Sequence, residues 1–231
     1  MADEDKAKKS ATHRVKSLVS LFGLIFTVIT FVCFMIGFSS PNWIEHFNKY
    51  TERQFVKMGL WEVCFKQWSY YKDYLGKKYN GCWWIFSFEY RPVWSWLNPP
   101  WLLVIQVLMV LTLIIMMVCL VFVIMYFVKC CPANKEKRYV MFSYILNFTA
   151  GAFIGVSVIT FGIKADTDRQ WLPHPDSNFL SWSFGFAVLS AFFALFGGMC
   201  LLVEWMRLNQ EDNNRARRQN MSLTSKPATR Y

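Results

Sequence analysis

Four uninterrupted apolar runs constrain this chain more than any other feature. Leu18 to Phe38, Trp101 to Val128, Tyr139 to Ile163 and Phe179 to Val203 contain no Asp, Glu, Lys or Arg. Each is at least as long as the ~20 apolar residues a helix needs to cross a hydrocarbon core of about 30 Å. Four transmembrane helices are therefore predicted. A chain that is 55% hydrophobic and 19% aromatic does not fit a soluble globule. The first run exceeds the ~7–15 residues of a signal-peptide core, and Pro41-Asn42-Trp43 follows it in place of a small-residue cleavage site. It is read as a retained span.

Basic residues next to the spans set the orientation. Lys6, Lys8, Lys9, Arg14 and Lys16 precede the first run, and Lys129, Lys135, Lys137 and Arg138 lie between the second and third. Arg207, Arg215, Arg217 and Arg218 follow the fourth. By the positive-inside rule these segments are cytoplasmic. The predicted organisation is a cytoplasmic N-terminus (1–17), a first span (18–38), a large extracellular loop (39–100) and a second span (101–128). A cytoplasmic loop (129–138), a third span (139–163), a short extracellular loop (164–178), a fourth span (179–206) and a disordered cytoplasmic tail (207–231) complete it. The large loop is itself basic, with eight Lys and Arg against five acids, but long loops cross largely regardless of charge. The overall +10 charge is read as orientation signals lying against anionic lipid headgroups, with no nucleic-acid partner.

Ionisable groups inside spans mark ion or proton paths. Here the spans offer only Gln106, Asn147 and some Ser and Thr, with Glu204 at the inner edge of the fourth, so a pump or carrier is disfavoured. Small residues recur instead. Gly151 and Gly155 form a GxxxG pair, and Ser190, Ala194 and Gly198 repeat every four residues. They are expected to pack helices within one bundle, with oligomerisation as the alternative.

Of seven cysteines, only Cys64 and Cys82 fall outside the membrane on the extracellular side. An oxidising exterior with one available pair predicts one disulfide. His46 is the only other soft ligand on that loop, which is too few for a metal site. Residues 55–65 are rich in β-branched and aromatic residues, Asn80-Gly81 is a two-residue hairpin signal, and residues 82–90 read as a further strand. A small antiparallel sheet is predicted, supported by the outer helix ends. Asn98 is predicted to cap the second span, with Pro99 at its first helical position.

Trp43, then Gly59-Leu60-Trp61, then Cys64 and Cys82 resemble the first-loop pattern of the claudin superfamily, which also includes the peripheral myelin protein group and the calcium-channel gamma subunits. Arg91 is similar to the family's arginine ahead of the second span. Phe184-Gly185-Phe186-Ala187 and Gly197-Gly198-Met199-Cys200 look like its fourth-span pattern. The resemblance implies a left-handed four-helix bundle capped by an extracellular sheet. It also implies assembly with itself and with other claudin-like proteins, side by side and head to head, to seal or select between epithelial cells. Seventeen residues separate Cys64 from Cys82, more than in typical vertebrate claudins, and this extended aromatic loop looks most like invertebrate septate-junction claudins.

The alternative function is an accessory subunit of a channel or receptor, as in the gamma subunits. An enzyme is not expected: His13, His46 and His174 are scattered, and no nucleophile, phosphate-loop, metal or cofactor motif accompanies them. Trp61 is expected to pack between sheet and helices. Trp171 and Leu172, on a loop too short for its own core, are candidate intermolecular contacts. Lys66, Lys72, Lys77 and Lys78 are candidate paracellular charges, a solvated rim being the rival reading. Cys130 and Cys131 are candidate palmitoylation sites. Thr229-Arg230-Tyr231 is a candidate ligand for a PDZ scaffold.

Overall fold

The computed structural model describes residues 16–47, 54–72, 76–128 and 133–224. Cys130, Cys131 and the last three residues lie outside them. Four long helices form a bundle: α1 (Leu18–Ser39), α3 (Pro100–Val128), α4 (Ala133–Thr167) and α5 (Trp182–Thr224), with a short α2 (Trp94–Leu97) before α3. All four are long and apolar enough to cross a membrane. In packing order α3 lies on α4, α4 on α5 and α5 on α1.

α1 turns mainly small and polar residues inward and large apolar ones out, whereas α3 buries Leu102, Ile105, Met109 and Met116. On α1, Ser20, Gly23, Thr27, Thr30 and Gly37 are buried, while Phe22, Ile25, Val28 and Val32 are exposed. That arrangement suits a lipid solvent, where close helix approach replaces the hydrophobic effect as the source of association. Buried hydroxyls return their hydrogen bonds to the preceding turn, as in Thr27 to Gly23 O (2.7 Å) and Thr112 to Leu108 O (2.8 Å). Asn147 crosses between helices and donates to Thr27 Oγ1 of α1 and Cys119 Sγ of α3. Gly151 faces Ala194 and Leu195, and Gly198 faces the Phe148 ring, so those small residues serve contacts inside one bundle. A Cβ added to Gly155 would meet open space, so no neighbour requires a glycine there.

One end of the bundle carries a five-stranded antiparallel sheet of order β4-β3-β2-β1-β5. Its strands are β1 (Ile44–His46), β2 (Gln54–Met58), β3 (Glu62–Ser69), β4 (Lys78–Trp84) and β5 (Asn178–Leu180). The sheet unites both loops at this end, because β1 pairs with β5 from the second one, Ile44 opposite Leu180.

Several local predictions are corrected. The run 55–65 is two strands, turned at Gly59-Leu60-Trp61 and closed by Gly59 N–H to Glu62 O (2.8 Å). Asn80-Gly81 is no turn; it lies inside β4, where Gly81 takes φ 93° opposite Phe65 as the β3–β4 register shifts. A hairpin turn and a bulge both call for a residue at positive φ, so the dipeptide signals either. After β4 the chain forms a 3₁₀ turn (Phe88–Val93) and α2, ending the predicted strand 82–90 early. Asn98 does not cap α3; its side chain donates to Gln106 Oε1, and the helix opens on the Pro99 carbonyl, bonded by Leu102 and Leu103 N–H. The segment after 206 is helical through Thr224, since its Arg, Gln, Glu and Met are good helix formers and no proline comes before Pro227.

Candidate functional site

The site is the loop platform at the sheet end, and Gly59-Leu60-Trp61 fixes it to the bundle. A Cβ on Gly59 would sit 2.4 Å from Ser40 O and 2.6 Å from Pro41 Cα, so only glycine lets the β2–β3 turn reach the end of α1. Leu60 is fully buried, and its carbonyl accepts from Gln106 Nε2 of α3 at 2.7 Å. Trp61 packs on Phe38 with ring centres 5.1 Å apart, between sheet and helices. Trp43 is fully buried, donates from its indole to Gly37 O (2.6 Å), and meets Phe161 of α4 and Phe184 of α5 edge-on. One tryptophan thus ties the sheet to three helices. We expect Gly59→Ala to destabilise by about 1–3 kcal/mol, because both obstructing atoms are backbone and cannot swing aside. Thermal melts in detergent check this against Gly155→Ala, which should be near neutral.

Cys64 and Cys82 are bonded across the β3–β4 pair, where they face each other in register. Glu62 lies beside them as a third group of metal-ligand type, but two sulfurs joined to each other supply no thiolate. Beneath this clip runs an aromatic layer: Phe65 stacks on Trp68 at 4.5 Å, and Trp68 on Trp96 at 5.0 Å. Tyr90 closes the layer and donates to Val63 O at 3.1 Å. Burial, then the nearby Glu89 and Glu62 charges, push its phenol well above the ordinary range, so it remains a donor.

The second loop belongs to the same core. Trp171 and Leu172 are 2% and 5% exposed, which overturns their reading as intermolecular contacts. Trp171 donates to Leu97 O (3.1 Å) and packs edge-on against Trp101 at 4.6 Å. The loop is too short for a core of its own, yet it completes one built by the first loop and by α3 and α4. His46 and Asn178, bonded at 3.0 Å, add a side-chain link along the β1–β5 pair. Gln106 and Asn178 were not foreseen as site residues. The one signal for Gln106 was that an amide within an apolar run must find a partner.

The four lysines divide. Lys66 and Lys78 are exposed, each next in sequence to a buried aromatic residue, Phe65 and Tyr79, and so turned to the opposite face. Lys72 is exposed, and a side-chain hydrogen bond with Tyr71 raises its pKa. Lys77 is half-buried and pairs with Glu89 at 3.0 Å, so it contributes little to the surrounding field. Arg91 is exposed on the 3₁₀ turn. Between the β3 end and the second loop, Trp68, Tyr70, Trp96, Arg169 and His174 line a cleft of about 610 Å³.

A bundle of four apolar helices, topped by a disulfide-clipped sheet that both loops build, defines a class of small four-span membrane proteins. The family described as PMP-22/EMP/MP20/Claudin tight junction matches residues 28–203, from mid-α1 into α5. This chain belongs to that family. No single curated protein matches it.

Proposed function

We propose that the protein is a cell–cell junction component whose extracellular platform assembles in cis and in trans to form or organise a paracellular barrier. Both chain ends then face the cytoplasm, in keeping with the basic residues at the helix ends away from the sheet. The observation that carries this reading is the platform itself, two loops locked into one sheet by β1–β5 pairing, a disulfide and the Trp43 pocket. A rigid surface next to the membrane is what a seal between cells requires. Its margin exposes Trp84, Phe86, Phe88 and Trp94, an apolar patch of the kind that marks contact with a neighbour. The long aromatic segment between Cys64 and Cys82 favours a septate-type junction.

In a polarised epithelial monolayer, the tagged protein should concentrate at lateral contacts and lower tracer flux between cells. Even surface distribution together with co-purification of a large pore-forming subunit would establish the accessory-subunit role instead.

Charge selectivity follows from Lys66, Lys72 and Lys78. A unit charge about 10 Å from a passing ion contributes ~0.4 kcal/mol in water, reduced to ~0.1 kcal/mol by physiological salt. Changing all three to Glu alters the charge by six units, so relative cation permeability should rise roughly threefold. Dilution potentials across the monolayer read this out. An unchanged potential with the variant present in intact junctions would assign these lysines to a solvated rim.

A further inference from the structure

At the end of the bundle away from the sheet, α3 and α4 leave a groove of about 200 Å³ lined by Phe122, Lys135, Arg138, Tyr139 and Phe142. Lys135, Arg138, Tyr139 and Phe142 stand at helical spacings of three and four and so share one face of α4. Phe122 of α3 closes the groove, with its ring 5.7 Å from that of Tyr139 and 5.9 Å from that of Phe142. At ~1.5 Å per residue, the first cation and the last ring lie about 10 Å apart along the helix. The order from the helix end inward is cation, cation, aromatic wall. A phospholipid presents the complementary order of anionic headgroup and then acyl chain.

We propose that this groove is a binding site for one anionic phospholipid of the cytoplasmic leaflet. Its phosphate lies between Lys135 and Arg138, and one acyl chain lies along Phe122 and Phe142. The leaflet assignment rests on the orientation proposed above. Both cations are exposed, and neither has an acidic partner among the described residues. Glu136, the acid nearest in sequence, is buried and does not line the groove. Phe142, for its part, is 46% exposed and offers its ring to the chain. Arginine adds a planar fork of donors for phosphate oxygens, and the α4 N-terminus adds its dipole.

The test is lipid retention by the full-length protein, released from nanodiscs holding equal phosphatidylserine and phosphatidylcholine and read by native mass spectrometry. Both leaflets carry both lipids, so the result is independent of orientation and of any junction role. Wild type should keep phosphatidylserine with roughly 25-fold preference, about fivefold arising from each of the two cations near an anionic headgroup. Lys135→Gln/Arg138→Gln should abolish the preference, and Phe142→Ala should weaken retention. Arg217→Gln, farther along α5, should change neither. Equal retention of the two lipids by wild type, or a preference that survives the double substitution, would overturn the site. So would displacement by 10-fold excess glycerophosphate as complete as by whole lipid, which would reduce it to a free-phosphate site. Retention seen only in the Cys130→Ser/Cys131→Ser variant would overturn it too, by showing that the chain's own acyl group fills the groove.

Discussion

Trp171→Ala should retain most of the protein inside the cell. The indole is buried against Trp101 and Phe161 and bonded to Leu97 O. Truncating a buried tryptophan costs about 3–5 kcal/mol, which is a large share of the ~5–15 kcal/mol that holds a typical domain together. Leu172→Ala should lie at the lower end of the same range. Trp94→Ala removes a ring that is 37% exposed and should reach the surface nearly normally. Surface biotinylation and melting in detergent together separate the outcomes. Normal surface delivery of Trp171→Ala with loss of junctional clustering alone would return this residue to the role of an intermolecular contact.

Cys64→Ser should produce a comparable failure by another route. The bond closes a loop of 18 positions, and restricting the unfolded chain to that loop contributes about 3 kcal/mol. The loop also holds residues 70–77, which connect β3 to β4, so without the clip β4 is an edge strand on a long tether. Cys82→Ser and the double variant should match Cys64→Ser, because one bond can be lost only once. Glycan-independent surface labelling checks the export defect. A Cys64→Ser protein that reaches junctions in normal amounts would show the clip to be dispensable.

The spans were legible because a charge-free run of twenty residues has few other fates, and the disulfide because the first loop offers a single pair. Gly59-Leu60-Trp61 was legible as a family pattern, but its cause was not. The obstruction at Ser40 and Pro41 involves residues about twenty positions away. The same limit explains Trp171 and Leu172. Counted within their own loop they have nothing to pack on, whereas their partners Leu97, Trp101 and Phe161 come from elsewhere in the chain. Asn98 and Pro99 were misassigned because a turn of two prolines shifts the helix start by one residue and frees the Asn98 amide for Gln106. The lysines read alike in sequence, and only Glu89, twelve residues from Lys77, distinguishes one of them.

The placement of β5 bears on how the chain is made. Four strands and the disulfide lie before residue 100, but the strand that covers the β1 edge and the Phe184 ring that closes over Trp43 come from the last third. During synthesis the first loop emerges early, yet it keeps an open edge and an unfilled tryptophan socket until the fourth helix has inserted. A chain truncated before residue 178 lacks both that strand and that ring, and should therefore keep the β1 edge unpaired and one side of the Trp43 ring uncovered.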